Sequence, residues 1–280
     1  MNENMTNQKT EKIKLHYLIG DVHKGGHDVH RVAKANHKML IASGAFDVLM
    51  VCDDPDIGEI TFDEYLAGDL IKNAEIFVFN CGNYRFNDPL EQKLLEEAVS
   101  GGAGFVFLHG DHPCYWEAVG FKPWDEMEKM AGLMWREKTF HGDYAEAHIS
   151  VDKPEHPIMQ GIQDFDTKDE IFCNCENKWN IPFETLASAY SDASVISRHG
   201  IAGTGKQEPM LTIGSYGKGR TVNQLLGHVW PYYTGHGMGE NTMLSFLPKE
   251  FRKMFVRSCE WAATGKVEKT LAFDGKVKLI

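Results

Sequence analysis

The 280-residue chain lacks the local motifs of several protein classes. Its six cysteines include no C-x-x-C pair, which excludes the usual zinc-ribbon and thioredoxin-like motifs. Neither G-x-S-x-G nor H-E-x-x-H occurs, which excludes the nucleophile elbow of α/β-hydrolases and the zincin helix. No apolar run approaches the ~18 residues of a membrane span. The first twelve residues, MNENMTNQKTEK, are polar and contain no apolar signal-peptide segment.

Basic residues are in the minority. The chain has 29 Lys and Arg against 40 Asp and Glu, a formal net charge of -11. This balance argues against binding to nucleic acid, which needs a basic stripe, and against an anionic membrane surface. We therefore expect a cytoplasmic protein with reduced thiols and with neither nucleic acid nor membrane as a partner.

Histidine is unusually frequent in this sequence, with 13 residues. Its imidazole titrates near neutral pH and is a common metal ligand. Histidines placed for chemistry therefore have to be distinguished from those that serve packing.

The first half of the chain alternates between apolar strands and helices. Strands are predicted at 14–19, 46–51, 75–80 and 105–108. A helix from Asp28 to Ser43 is closed by Gly44, a short helix begins near Asp63, and Asp88 with Pro89 opens another helix. This alternation predicts a parallel sheet flanked by helices.

The second half of the sequence has a different pattern. Short strands are expected at 147–151, 185–187, 210–213 and 221–226, the last two forming a hairpin, and a final helix begins at Pro248. We expect an α/β fold with an elaborated C-terminal half. Its parts are a disordered polar tail over residues 1–12, a single domain over 13–267 and a C-terminal extension over 268–280.

The strand ends select candidate site residues, because ligands of open parallel sheets bind beyond the carboxyl ends of the strands. His109 ends the fourth strand, where partial burial would tune an acid or base; a backbone-capping histidine is the alternative. His228 follows the strand at 221–226 by the same logic. His27 and Asp28 follow the first strand and are predicted to bind a ligand, as is Asp111 after the fourth.

Three further candidates come from local sequence alone. His141 lies between aromatic residues, where a structural role is the alternative to catalysis. Asp169 and Glu170 form a carboxylate pair that would supply a base with a raised pKa or a contact to substrate; an acidic surface turn is the alternative. The histidines at positions 23, 27 and 30 have the spacing H-x3-H-x2-H, and they would bind one metal ion only if that loop folds back on itself.

Eight short motifs occur in the order typical of the ThuA-like family (trehalose-utilisation type proteins), which the chain resembles over about residues 12–267. They are Gly26-His27-Asp28, the run GGAGFVFLH at 101–109, Phe140-His141-Gly142, HPIMQG at 156–161, Asp169-Glu170, GKGR at 217–220, Leu226-Gly227-His228 and EWAATG at 260–265. The resemblance implies a flavodoxin-like fold of the class I glutamine amidotransferase type. It also implies a cytoplasmic role in carbohydrate catabolism, with keto-sugars as the compounds that are isomerised or processed.

Related amidotransferases place a nucleophilic cysteine after the strand equivalent to 105–108, where this chain has His109-Gly110-Asp111. Glutamine hydrolysis by a Cys-His-Glu triad is therefore not expected. Our first hypothesis is instead an enzyme that removes a proton next to the carbonyl of a keto-sugar. The expected base is His109 or Glu170.

The stabiliser of the enolate oxygen in this hypothesis is His228, His141 or a divalent cation such as Zn or Mn. Trp116 is expected to stack on the sugar ring, and Asp111 to bind its hydroxyls. Two alternatives stay open, a non-catalytic sugar-binding or regulatory module and a metal-dependent glycoside hydrolase. Aromatic residues in the C-terminal half also lead us to expect a homo-oligomer.

Overall fold

One large sheet organises the protein. The computed structural model describes residues 11–20, 26–81, 88–110, 124–231 and 243–279. Its strands are β1 Ile13–Ile19, β2 Phe46–Val51, β3 Ile76–Asn80, β4 Gly104–Phe107, β5 Phe140–His141, β6 Ala145–Val151, β7 Phe165–Asp169, β8 Phe172–Cys173, β9 Phe183–Ser191, β10 Lys206–Tyr216 and β11 Gly219–Gln224. Nine of them form a sheet in the order β2-β1-β3-β4-β11-β10-β9-β6-β7, and β5 pairs with β8.

The sheet is mixed. Strands β2, β1, β3, β4 and β11 are parallel, as the alternation of strands and helices predicts. The predicted hairpin is confirmed as β10 and β11, which reverse at Gly217 with its positive φ of 58°. A hairpin partner has to run antiparallel. Strands β10, β9, β6 and β7 therefore extend the sheet in antiparallel fashion and form the elaborated C-terminal half.

Four of the five described helices begin close to the predicted positions, and the fourth helix in chain order was not predicted. They are α1 Val29–Ser43, α2 Phe62–Ala67, α3 Pro89–Gly101, α4 Asp125–Ala131 and α5 Lys249–Thr264, with 3₁₀ turns at Leu70–Asn73 and Leu244–Phe246. The Asp88 carboxylate caps α3, and Pro89 occupies its first turn. Gly44 ends α1 in the left-handed conformation, at φ 71°. No helix among the described residues is long and apolar enough to cross a membrane.

Two apolar layers cover the sheet, one on each face. In β4, Val106 belongs to the layer under α1 and α5, whereas Phe105 and Phe107 belong to the layer under α2, α3 and α4. Alternate strand residues face opposite sides, so a strand covered on both faces has to be apolar throughout. All four residues of β4 are buried. This double burial fixes where β4 ends and therefore where His109 lies.

The segment after α5 is bound to the same body. Glu260 of α5 is 2% exposed. Its carboxylate accepts hydrogen bonds from the backbone N–H groups of Glu268, Lys269 and Thr270 at 2.7–2.9 Å, and from the Thr270 hydroxyl at 2.6 Å. Phe273 packs into the layer under α5. Residues 268–279 therefore complete the core. Of the predicted polar tail, residues 1–10 lie outside the described part of the chain.

Replacing Glu260 by Ala removes the one acceptor shared by these four donors. We expect the free energy of unfolding to fall by about 2–4 kcal/mol, because buried N–H groups then lack a partner. Urea denaturation measures the change. Glu268→Ala is the control, since that side chain is 71% exposed and its loss costs at most about 0.5 kcal/mol. Equal stability of the two variants would contradict this role of Glu260.

Candidate functional site

Three histidines meet beyond the carboxyl ends of β1, β4 and β11. His27 follows the loop after β1, His109 lies two residues beyond β4, and His228 lies four residues beyond β11. One ring nitrogen of each lies within 4.8 Å of those of the other two. His109 and His228 are 4% and 2% exposed. The structure thus gathers three imidazoles that are far apart in the sequence.

Hydrogen bonds define the protonation of two of these rings. The Nδ1 of His109 is 2.6 Å from the Leu225 carbonyl oxygen, and a carbonyl only accepts, so this nitrogen carries the proton. In a neutral ring Nε2 then has the lone pair. The Nδ1–H of His228 donates to it over 3.0 Å. Among the described residues no group hydrogen-bonds to the buried Nε2 of His228, which by this assignment is unprotonated.

Gly110 makes room for His27. It has a positive φ of 98°, and a Cβ built on it would lie 2.9 Å from Cδ2 of the His27 ring. Any larger residue would displace that imidazole. The His27 ring is therefore held 5.4 Å from the ring of His109 and 4.7 Å from that of His228, centroid to centroid.

Asp169, at the end of β7, fixes the backbone of His228. Its carboxylate accepts hydrogen bonds from the N–H groups of Gly227 at 2.7 Å, His228 at 3.1 Å and Glu170 at 2.8 Å. Burial raises the pKa of Asp169 to about 7, although these N–H donors oppose the shift. Both carboxylate oxygens are thus engaged with backbone. The sequence-based prediction that Asp169 contacts substrate stays a prediction.

Glu170 lies between His141 and His228. Its Oε2 lies 3.5 Å from Nδ1 of His141 and 3.5 Å from Nδ1 of His228. Its Oε1 accepts from the indole N–H of Trp230 at 3.1 Å and lies 3.4 Å from Nη2 of Arg198. Burial raises the pKa of Glu170 to about 8 and outweighs the opposing effect of the Arg198 guanidinium. The carboxyl therefore exchanges its proton close to neutral pH.

The neighbouring imidazoles shift in the opposite direction. Burial lowers the pKa of His228 well below its ordinary value, and the adjacent His27 and His109 lower it further. Burial also lowers the pKa of His141, whose Nδ1–H donates to the Gly142 carbonyl at 2.7 Å. At pH 7 the rings of His141 and His228 are therefore neutral, and the Glu170 carboxyl beside them is largely protonated. Neutral imidazole is the form that accepts a proton or binds a metal.

Arg198 and Trp230 are site residues that the sequence does not reveal. Arg198 comes from the segment between β9 and β10, where its backbone N–H donates to both carboxylate oxygens of Asp143 at 3.1 Å. Its guanidinium carbon lies 5.4 Å from the centroid of the Trp230 ring. The only local signal for Trp230 is its position two residues after His228. No local sequence signal indicates Arg198, because its position at the site depends on how the antiparallel strands pack.

The remaining predicted site residues have different positions. Asp28 caps α1 and accepts hydrogen bonds from the backbone N–H of Arg31 at 3.0 Å and from its Nε at 2.8 Å. Its own N–H donates to the Val229 carbonyl at 2.7 Å, so it holds the start of α1 against the segment that carries His228. Its ligand-binding role stays a prediction. Asp111 and Trp116 lie outside the described residues.

The H-x3-H-x2-H spacing is not what gathers the histidines. Its third member, His30, lies on α1 with Nδ1 3.4 Å from the Asp54 carboxylate. His23 lies outside the described residues. His27 instead joins His109 and His228, which come from other strands.

The buried carboxyl of Glu170 makes folding stability depend on pH in a defined direction. Its folded pKa lies above its unfolded value, so its contribution to stability falls as pH rises from about 4.5 to about 8. Glu170→Gln removes this loss. The melting temperature of Glu170→Gln minus that of the parent should therefore be larger at pH 8 than at pH 5, by about 3 °C or more.

Thermal unfolding followed by circular dichroism at both pH values measures this difference. Glu146→Gln, at an exposed position on β6, is the matched control and should follow the parent at each pH. A difference between Glu170→Gln and the parent that is the same at pH 5 and pH 8 would show that the Glu170 pKa is not raised.

Comparisons with known proteins bear on the family and the fold of the chain. The family profile described as trehalose utilisation, ThuA, matches residues 18–262. The chain is similar in structure to a ThuA-like protein from Parabacteroides merdae, with 21% identity over 92% of both chains and a TM-score of 0.69. A ThuA-like protein from Bacteroides uniformis has 14% identity over 92% of this chain and 93% of its own, with a TM-score of 0.57.

A cytoplasmic protein from Salmonella typhimurium LT2 is also similar, with 12% identity over 89% of this chain and 99% of its own and a TM-score of 0.52. At these identities the three structures establish the fold alone. No curated protein gave a significant match. The profile match spans most of the sequence, and its ends coincide with β1 and α5. The chain therefore belongs to the ThuA family, described by its role in trehalose utilisation.

Proposed function

We propose that the protein is an enzyme that isomerises a keto-sugar or keto-glycoside by moving a proton next to its carbonyl group. The observation that carries this proposal is the Glu170 carboxyl. It is buried beside two imidazoles at the carboxyl edge of the sheet, with its pKa raised to about 8. The family description, trehalose utilisation, supports a carbohydrate as the substrate class.

Glu170 is the base in this proposal. A general base works best when its pKa lies near the operating pH, because it then both takes and returns a proton. The minor ionised fraction at neutral pH removes the proton from the hydroxyl-bearing carbon next to the carbonyl, which gives an enediolate. The same carboxyl then returns that proton to the former carbonyl carbon, while the substrate's hydroxyl proton passes to the former carbonyl oxygen. Oε2 is the oxygen suited to this transfer, since Oε1 is engaged by Trp230 and Arg198.

The groups around Glu170 have separate roles. The Arg198 guanidinium, 3.4 Å from Oε1, supplies positive charge close to the developing enolate oxygen. His109 positions His228, because its two ring nitrogens are bonded to Leu225 and His228. This arrangement favours Glu170 over His109 as the base. His141 and His228 flank the carboxyl as neutral rings.

We also propose that the protein is cytoplasmic and that its substrate is a small-molecule sugar from catabolism. The acidic composition fits this location, and one structural relative is described as cytoplasmic. A homo-oligomer is supported by exposed apolar side chains near the β9–β10 segment, among them Val195 at 60% and Ile196 at 67% exposure.

Deuterium exchange tests the chemistry. The purified protein is incubated in deuterated water with a panel of keto-glycosides and free keto-sugars, and the C–H next to the carbonyl is followed by NMR. We expect exchange with the parent and its loss by about 100-fold or more in Glu170→Gln. Glu146→Gln should exchange like the parent.

Three outcomes would overturn the proposal. Tight sugar binding without exchange across the panel indicates a binding or regulatory module. Undiminished exchange in Glu170→Gln shows that another group is the base. Cleavage of the glycosidic bond without prior exchange would instead favour the glycoside hydrolase alternative.

A further inference from the structure

The convergence of His27, His109 and His228 has the dimensions of a metal site. In a tetrahedral zinc site with Zn–N bonds of about 2.0–2.1 Å, the ligand nitrogens are about 3.3 Å apart. Each of the three rings offers one nitrogen, and these nitrogens all lie within 4.8 Å of one another. Side-chain displacements on the order of 1 Å therefore bring three nitrogens to coordination distance.

The surroundings of two rings resemble the outer shell of a metal site. Metal-binding histidines usually donate their second N–H to a carbonyl or carboxylate, which aims the other nitrogen at the ion. His109 does so through Nδ1 to the Leu225 carbonyl. His228 has its backbone held by Asp169, and its Nδ1 lies 3.5 Å from Oε2 of Glu170.

The Nε2 of His228 is a second, independent sign of a ligand. The ring is 2% exposed, and this nitrogen has no hydrogen-bond partner in the part of the chain that the structure describes. Buried polar atoms are rarely left without a partner, so such an atom requires an explanation. An unprotonated imidazole nitrogen next to two further imidazoles is satisfied by a cation.

We propose that His27, His109 and His228 bind one Zn²⁺ ion. Three imidazoles with a position left for water or substrate are a typical catalytic zinc arrangement. Imidazole ligands suit zinc better than Mn²⁺ or Mg²⁺, which prefer oxygen. An ion on Nε2 of His109 replaces the hydrogen bond from His228. The Nδ1–H of His228 then turns to Glu170, in the carboxylate–histidine arrangement.

Zinc binding does not depend on the proposed isomerisation, whereas a role for the ion in catalysis does rest on it. Next to Glu170, a bound cation supplies positive charge for the enolate oxygen. Glu170 and the three histidines then share one pocket but have distinct tasks. The carboxyl moves the proton, and the imidazoles hold the ion.

Zinc titration of the full chain tests the site. The protein is purified without a histidine tag, stripped of metal with a chelator and titrated with Zn²⁺ by calorimetry, with elemental analysis of the product. We expect one zinc per chain, a raised melting temperature and weaker binding of Mn²⁺. Co²⁺ in place of zinc should give the visible absorption of a tetrahedral site.

Variants separate this site from adventitious binding. His27→Ala should weaken zinc binding by about 100-fold or more, and this half-buried position lets the variant fold. His30→Ala, on the first turn of α1 with its Nδ1 3.4 Å from the Asp54 carboxylate, is the control and should bind zinc like the parent. Gly110→Ala displaces the His27 ring and should weaken binding although all three histidines remain.

Equal zinc affinity in the parent and His27→Ala would overturn the site. So would a preference for Mn²⁺ over Zn²⁺. One zinc bound without deuterium exchange in any keto-sugar would support the site and reject the proposed isomerisation. Exchange by a protein that binds no zinc would reject the site and leave the isomerisation standing.

Discussion

The candidate site depends on the hydrogen bonds from Gly227 and His228 to the Asp169 carboxylate. They join the end of β7, at the edge of the sheet, to the segment after β11, although β10, β9 and β6 lie between the two strands. Four strand-to-strand steps span about 19 Å in a flat sheet. A contact of 2.7 Å therefore requires the segment after β11 and the antiparallel half to approach each other across the carboxyl edge.

This approach has a chemical consequence, because it buries the groups that lie between the two segments. Glu170 follows Asp169 directly and is thereby buried between His141 and His228. Desolvation then raises the pKa of one group and lowers those of the others. Elsewhere in the chain a buried carboxylate such as Glu260 is matched by four donors. By contrast, the burial of Glu170 raises its pKa and costs stability near neutral pH, which supports the proton-transfer role that we propose for it.

Much of the fold is predictable because its signals are local. Apolar runs locate the first four strands, and Asp88 with Pro89 and Gly44 locate helix ends through capping. His109 and His228 are predicted as site residues because strand ends mark the ligand edge of a parallel sheet. The antiparallel extension is less predictable: β6, β9 and β10 are visible in the sequence but β7 is not, and the order of these strands in the sheet depends on pairing between distant segments. Arg198 reaches the site only through that pairing.

The sequence by itself determined the α/β class, the limits of most elements in the first half, the family and the candidate histidines at strand ends. Those features depend on periodicity, capping residues and motif order, which act over a few residues. Only the tertiary structure decided that His27 joins His109 and His228, that Asp169 holds backbone, and that Glu170 has a raised pKa. Convergence and burial are properties of packing between segments far apart in the chain, and no local pattern encodes them.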